Sequence, residues 1–125
     1  MSVRINCKSV IHYFRYDGVL TLEELKKAMS DAHTNNPASN LIHDLREADI
    51  KHFDKESLID LGNYIEELVK DNKRPPYKSA IVVADKLTYG IVRCATMYSS
   101  DIIVNSTRIY YDIDFAIDWL TGIRD

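Results

Sequence analysis

The sequence predicts an α/β fold, a mixed and largely parallel sheet with helices packed against it, in the element order ββαβαβαβα. Three observations point there. Segments with apolar residues three and four apart, the spacing of one helix face, recur along the chain. Short runs rich in β-branched and aromatic residues separate them. One such run, Ser79 to Ala84, is apolar on both faces, as a central parallel strand covered on each side must be. Repeated βα units favour right-handed crossovers and parallel neighbours.

The elements follow in order. Val3, Ile5 and Cys7 alternate with polar residues, and Ile11, Tyr13 and Arg15 continue the alternation after a polar break near Lys8-Ser9. This predicts two short strands, a hairpin or bent pair at the sheet edge, closed by the turn dipeptide Asp17-Gly18. Thr21-Leu22-Glu23-Glu24 fits a capping box. Leu22, Leu25, Met29 and Ala32 then form one stripe, Glu23 and Lys27 face solvent, and Asn35-Asn36-Pro37 ends the helix. Asn40 to Leu45 reads as a buried strand, followed by a polar loop from Arg46 to His52. Asp54 is placed as an N-cap for a long helix carrying Leu58, Leu61, Ile65 and Leu68, which Arg74-Pro75-Pro76 closes. After the Ser79–Ala84 strand, Asp85 can cap a helix with Leu87, Ile91, Ala95 and Tyr98 on its core face. Residues 102–104 read as a helix end or a short extended connection. Arg108 to Tyr111 is the last strand, and Asp112 or Asp114 caps a final helix with Phe115, Ala116, Trp119 and Leu120, ended by Gly122.

Composition narrows the function. A chain of 125 residues has the size of one domain, so residues 1–125 are read as a single unit. Its 16 basic and 19 acidic residues give a formal charge of −3 without a dominant basic stripe, which argues against a nucleic-acid partner. No apolar stretch approaches the roughly 20 residues that span a bilayer, and the first residues are too polar for a signal peptide, so no transmembrane segment is expected. Cys7 and Cys94 are far apart and outside any CxxC pattern; both are read as reduced, semi-buried thiols, which fits the cytoplasm.

Ligands of open α/β sheets collect beyond the carboxyl ends of the strands. Asp44 and Asp85 fall there, with Arg46 and Arg93 as neighbouring cations. The two acids read as an N-cap and a loop-ordering group, as a polar rim for a small ligand or a partner's basic group, or as paired carboxylates for acid/base chemistry. His43-Asp44 is not a catalytic dyad, because adjacent strand residues point to opposite faces. His12, His33 and His52 have no metal-ligand spacing. Arg93 interrupts an otherwise apolar stretch, and Lys70, Lys73, Arg74 and Lys78 surround the proline pair as a solvated connection. Trp119 reads as a core anchor. Tyr89, Tyr98, Tyr110 and Tyr111 could line an amphipathic gap between the third helix and the sheet.

The order of elements is similar to that of a known group. Tyr16-Asp17-Gly18 precedes the first helix and Asp44-Leu45-Arg46 ends the next strand. Ala80 to Ala84, Tyr89-Gly90-Ile91-Val92-Arg93 and Ile109 to Asp112 lead to Ala116 to Leu120. Over nearly the whole chain this resembles the SpoIIAA-like family of STAS-type domains, and the resemblance implies a STAS/CRAL-TRIO-like fold. STAS regulators of anti-sigma factors carry a phosphorylatable serine at a helix N-terminus, which stabilises the phosphate. Here the matching run is Asp54-Lys55-Glu56-Ser57, with Lys55 and Glu56 at the acceptor positions. The resemblance therefore implies the fold of those regulators without their switch.

With no nucleophile–base motif, phosphate loop or metal cluster in view, the leading expectation is a non-catalytic regulatory or protein-interaction module that needs no cofactor. It would bind another protein or a second copy as a homodimer. The second is a binder of a small apolar or lipid-like ligand, and the third a small enzyme using Asp44 and Arg93. The residues expected to touch ligand or partner are Asp44, Arg46, Asp85, Tyr89 and Arg93.

Overall fold

The computed structural model describes residues 2–5, 9–35, 40–71, 78–98 and 106–122. Its elements are β1 (Ser2–Ile5), β2 (Ser9–Val19), α1 (Leu22–Asn35), β3 (Asn40–Asp49), α2 (Lys55–Asp71), β4 (Ser79–Val82), α3 (Lys86–Met97), β5 (Thr107–Tyr110) and α4 (Ile113–Thr121). The order is the expected ββαβαβαβα. The five strands lie side by side in chain order, β1 antiparallel to β2 and every later neighbour parallel. The fold is thus α/β with a mixed, largely parallel sheet.

Crossovers of one hand between adjacent strands put α1, α2 and α3 on the same face. There Leu25, Met29, Leu58, Leu61, Val92 and Ala95 meet Tyr16, Leu45, Ile81 and Val83 of the sheet in one apolar cluster. The other face carries a smaller cluster, where Ala116, Trp119 and Leu120 of α4 cover Ile11, Ile42, Ala80 and Val82.

Local signals in the sequence account for the helix ends. Thr21 and Glu24 form the reciprocal capping box, Thr21 N–H to Glu24 Oε1 at 2.9 Å and Glu24 N–H to Thr21 Oγ1 at 3.1 Å. Asp54 accepts from the Ser57 N–H at 2.8 Å, and Asp112 accepts from the Asp114 N–H at 2.8 Å. Gly122 ends α4 at φ +80°, a left-handed conformation that a side chain would strain.

Several expectations need correction. Asp17-Gly18 does not close the second strand. β2 runs on to Val19 through a register shift between Arg15 and Asp17, with Gly18 at φ +74°. The expected loop at Arg46 is still strand, because Glu47, Ala48 and Asp49 pair with Asp17, Gly18 and Val19. The phase of α3 differs too: the buried residues are Thr88, Val92 and Ala95, while Leu87 and Tyr98 face out. Phe115 is likewise exposed, because α4 turns Ala116, Trp119 and Leu120 to the sheet. Cys94 is an exposed free thiol rather than a semi-buried one. The expectations for Cys7, Lys73, Arg74 and residues 102–104 fall outside the described residues.

Candidate functional site

Alternation along the parallel strands decides which side chains meet. Tyr13 of β2 and Asp44 and Arg46 of β3 project from the face that α4 partly covers; His43 projects from the opposite face. Asp44 is therefore reached by four donors. The Arg46 guanidinium grips it side-on, Nε to Oδ1 at 3.0 Å and a terminal nitrogen to Oδ2 at 2.8 Å. The Arg46 backbone N–H adds a bond to Oδ1 at 3.1 Å, and the Tyr13 hydroxyl donates to Oδ2. The Asp44 side chain is only 5% exposed, whereas that of Arg46 is 38% exposed.

Burial by itself would raise the Asp44 carboxyl, but the hydrogen bonds from Arg46 and Tyr13 prevail and hold it at about 2. The Tyr13 phenol is pushed up, by burial and then by the bond to the Asp44 carboxylate. The hydrogen bond to Asp44 raises the Arg46 guanidinium as well. At neutral pH the cluster is an ionised carboxylate, a neutral phenol and a cation, with the charge of Asp44 answered within the group. Such an arrangement orders the end of β3 and presents the outer edge of one guanidinium. It offers no general base, since a proton acceptor at about 2 is idle near neutrality.

On the helix-covered face, His43 is 2% exposed. Its Nδ1 lies 2.8 Å from the Tyr16 hydroxyl, and its ring stacks on Phe14 with centroids 5.8 Å apart. Burial pushes the Tyr16 phenol up. The pair is internal to the core, on the side of the sheet away from Asp44, as the alternation of adjacent strand residues requires. His12 is partly buried, and burial lowers its imidazole; His52 is exposed, edge-on to Phe53.

The other expected site residues lie on α3, away from the Tyr13–Asp44–Arg46 face. Asp85 is the N-cap, accepting from the Thr88 N–H at 2.8 Å and lying 3.5 Å from Lys51 Nζ. Those bonds, the Thr88 N–H first, lower its carboxyl. Tyr89 stacks on Tyr111 at 5.4 Å, and Arg93 is exposed one turn further along α3. Tyr110 packs instead against Trp119 on the opposite face, and Tyr98 caps the end of α3. The four tyrosines are divided between the two sides of the sheet and do not line one gap. Lys78 is no solvated connection: its Nζ donates to the Trp119 carbonyl at 3.3 Å and sits 5.2 Å from that ring's centroid, a cation at the C-terminus of α4. Among the described residues, no group of three or more His, Cys, Asp or Glu could hold a metal ion, and no helix is long and apolar enough to cross a membrane.

Sequence reasoning missed Tyr13 and Tyr16 as partners of Asp44 and His43. Both pairs depend on the β2–β3 register, which no local motif encodes. The chain matches no protein-family model, no curated protein and no solved structure.

Proposed function

We propose that the chain is a non-catalytic interaction module that works by binding another protein. The observation that carries this reading is the uneven distribution of exposed apolar surface. Leu87, Met97, Tyr98, Tyr111 and Phe115 are all exposed in the C-terminal part of the chain, against Val19 alone earlier among the large apolar residues described. Leu87 and Met97 share the outer side of α3, and an exposed apolar stripe of this kind marks a site of association. The polar cluster at Asp44 supports the same reading from the other side, because its groups are ionised or neutral in the wrong sense for proton transfer near neutrality. The strand order and the run Asp54-Lys55-Glu56 also fit the proposal of a STAS-like regulator that lacks the phosphoserine switch.

The test pairs Tyr111→Ser with Phe115→Ser in the full chain and checks by circular dichroism that the fold is kept. Partners are recovered from the native cell by affinity capture and reconstituted from purified components. The reading expects one reconstituted complex whose affinity falls at least tenfold in the double variant. Failure to reconstitute any complex would overturn it.

A further inference from the structure

Helix α3 carries more apolar side chain than the fold uses. Its inward stripe is Thr88, Val92 and Ala95. A second stripe, Leu87, Gly90, Cys94 and Met97, spaced three, four and three, lies on the solvent side. Leu87 is 58% exposed and Met97 65%, and Cys94 is exposed between them. A helix apolar on both sides is ordinarily buried on both.

Gly90 sharpens the point. Glycine in a helix interior is unfavourable relative to alanine because of its backbone freedom. An added Cβ at Gly90 would meet no heavy atom within 4 Å, so nothing described in the fold requires the missing side chain. A gap within an exposed apolar stripe is what a second backbone needs to approach closely, and Met97, two turns further along, is a side chain that adapts to the surface laid on it.

Charge decides between occupants. Lys86 and Arg93 border the stripe, and α3 contains no acidic residue. The adjacent Asp85 is engaged by the Thr88 N–H and by Lys51. Packing α3 on a second copy about a two-fold axis near Gly90 and Cys94 would bring Arg93 against its own image. An acidic helix would instead place carboxylates on both cations. We propose that the outward face of α3 is a docking surface for an acidic amphipathic helix of a partner protein, seated along Leu87, Gly90, Cys94 and Met97 and flanked by Lys86 and Arg93. This rests on the reading of the chain as an interaction module and names the site and the chemistry of the partner.

The probe is a synthetic helical peptide with leucines three and four apart and glutamates flanking them; the control has lysines for the glutamates. Each is titrated into the full-length protein and followed through backbone amide NMR shifts. The acidic peptide is expected to bind saturably, with the largest shifts at residues 87–97, and at least tenfold tighter than the basic one. Gly90→Leu should weaken it at least tenfold while leaving the melting temperature unchanged or higher, because the new side chain has room in the free protein. Arg93→Glu should reverse the preference between the peptides. Equal binding of both peptides, shifts centred elsewhere, dimerisation lost in Gly90→Leu, or preference for anionic vesicles over the peptide would each overturn the proposal. A reconstituted complex that survives Gly90→Leu yet fails in the Tyr111/Phe115 double variant would remove the α3 site alone and leave the interaction module standing.

Discussion

Replacing Arg46 by alanine tests the physical account of the Asp44 cluster. Asp44 is held at about 2 against an ordinary 3.8. At about 1.4 kcal/mol per tenfold change in proton affinity, that difference is worth about 2 kcal/mol of stability at neutral pH. Removing one partner of a fully buried pair costs about 3–5 kcal/mol. Arg46 is 38% exposed, so solvent screens part of its share and the expected loss for Arg46→Ala at pH 7 is about 2 kcal/mol. The sign with pH follows from the direction of the shift. A carboxyl depressed in the folded state stabilises fully above its unfolded value, near 4, and that contribution disappears as pH falls from about 4 to about 2. The variant, with a carboxyl freed to rise, should therefore lose its disadvantage on acidification. Urea unfolding at pH 7 and pH 3 measures the difference, and NMR titration of the Asp44 carboxyl carbon reads its proton affinity directly. An Arg46→Ala protein as stable as the parent at pH 7, or one whose deficit is undiminished in acid while the Asp44 titration is unmoved, would refute the account.

Two further substitutions probe the other groups. Tyr16→Phe deletes the hydroxyl that meets His43 Nδ1 at 2.8 Å inside the core; about 1–2 kcal/mol should be lost in urea unfolding, and an unchanged midpoint would mean the contact contributes nothing. Asp85→Ala removes the cap of α3 and should lower the melting temperature by about 2–5 °C, whereas an unchanged melting temperature would mean that the Asp85–Thr88 bond adds nothing to stability.

What was legible in the sequence was local. The Thr21–Glu24 box, the caps at Asp54, Asp85 and Asp112 and the αL glycine at 122 all join residues within a few positions of one another, so chain order alone places them. The separation of His43 from Asp44 was legible for the same reason, since a period of two is a property of any strand. The meeting of Tyr13 with Asp44 was not, because it needs the register of two strands joined through a whole helix. Nor was the continuation of β3 past Arg46, where Glu47 to Asp49 owe their extended form to pairing with Asp17 to Val19 rather than to their own propensity.

Helix α3 was misread for a different reason, and one that bears on function. Leu87, Ile91, Ala95 and Tyr98 form as good a stripe as Thr88, Val92 and Ala95, so periodicity had two answers and no ground for choosing. Packing against the sheet chose the stripe with the smaller side chains and turned Leu87 and Tyr98 outward. An ordinary surface helix does not present that ambiguity, because its polar face marks the outside. The charged residues that would mark it here are only Lys86 and Arg93 at one border, with Gly90, Cys94 and Met97 beside them. The failure of the periodic reading and the proposed docking face thus have one physical source: α3 has two apolar sides, and the described residues of the fold account for only one of them.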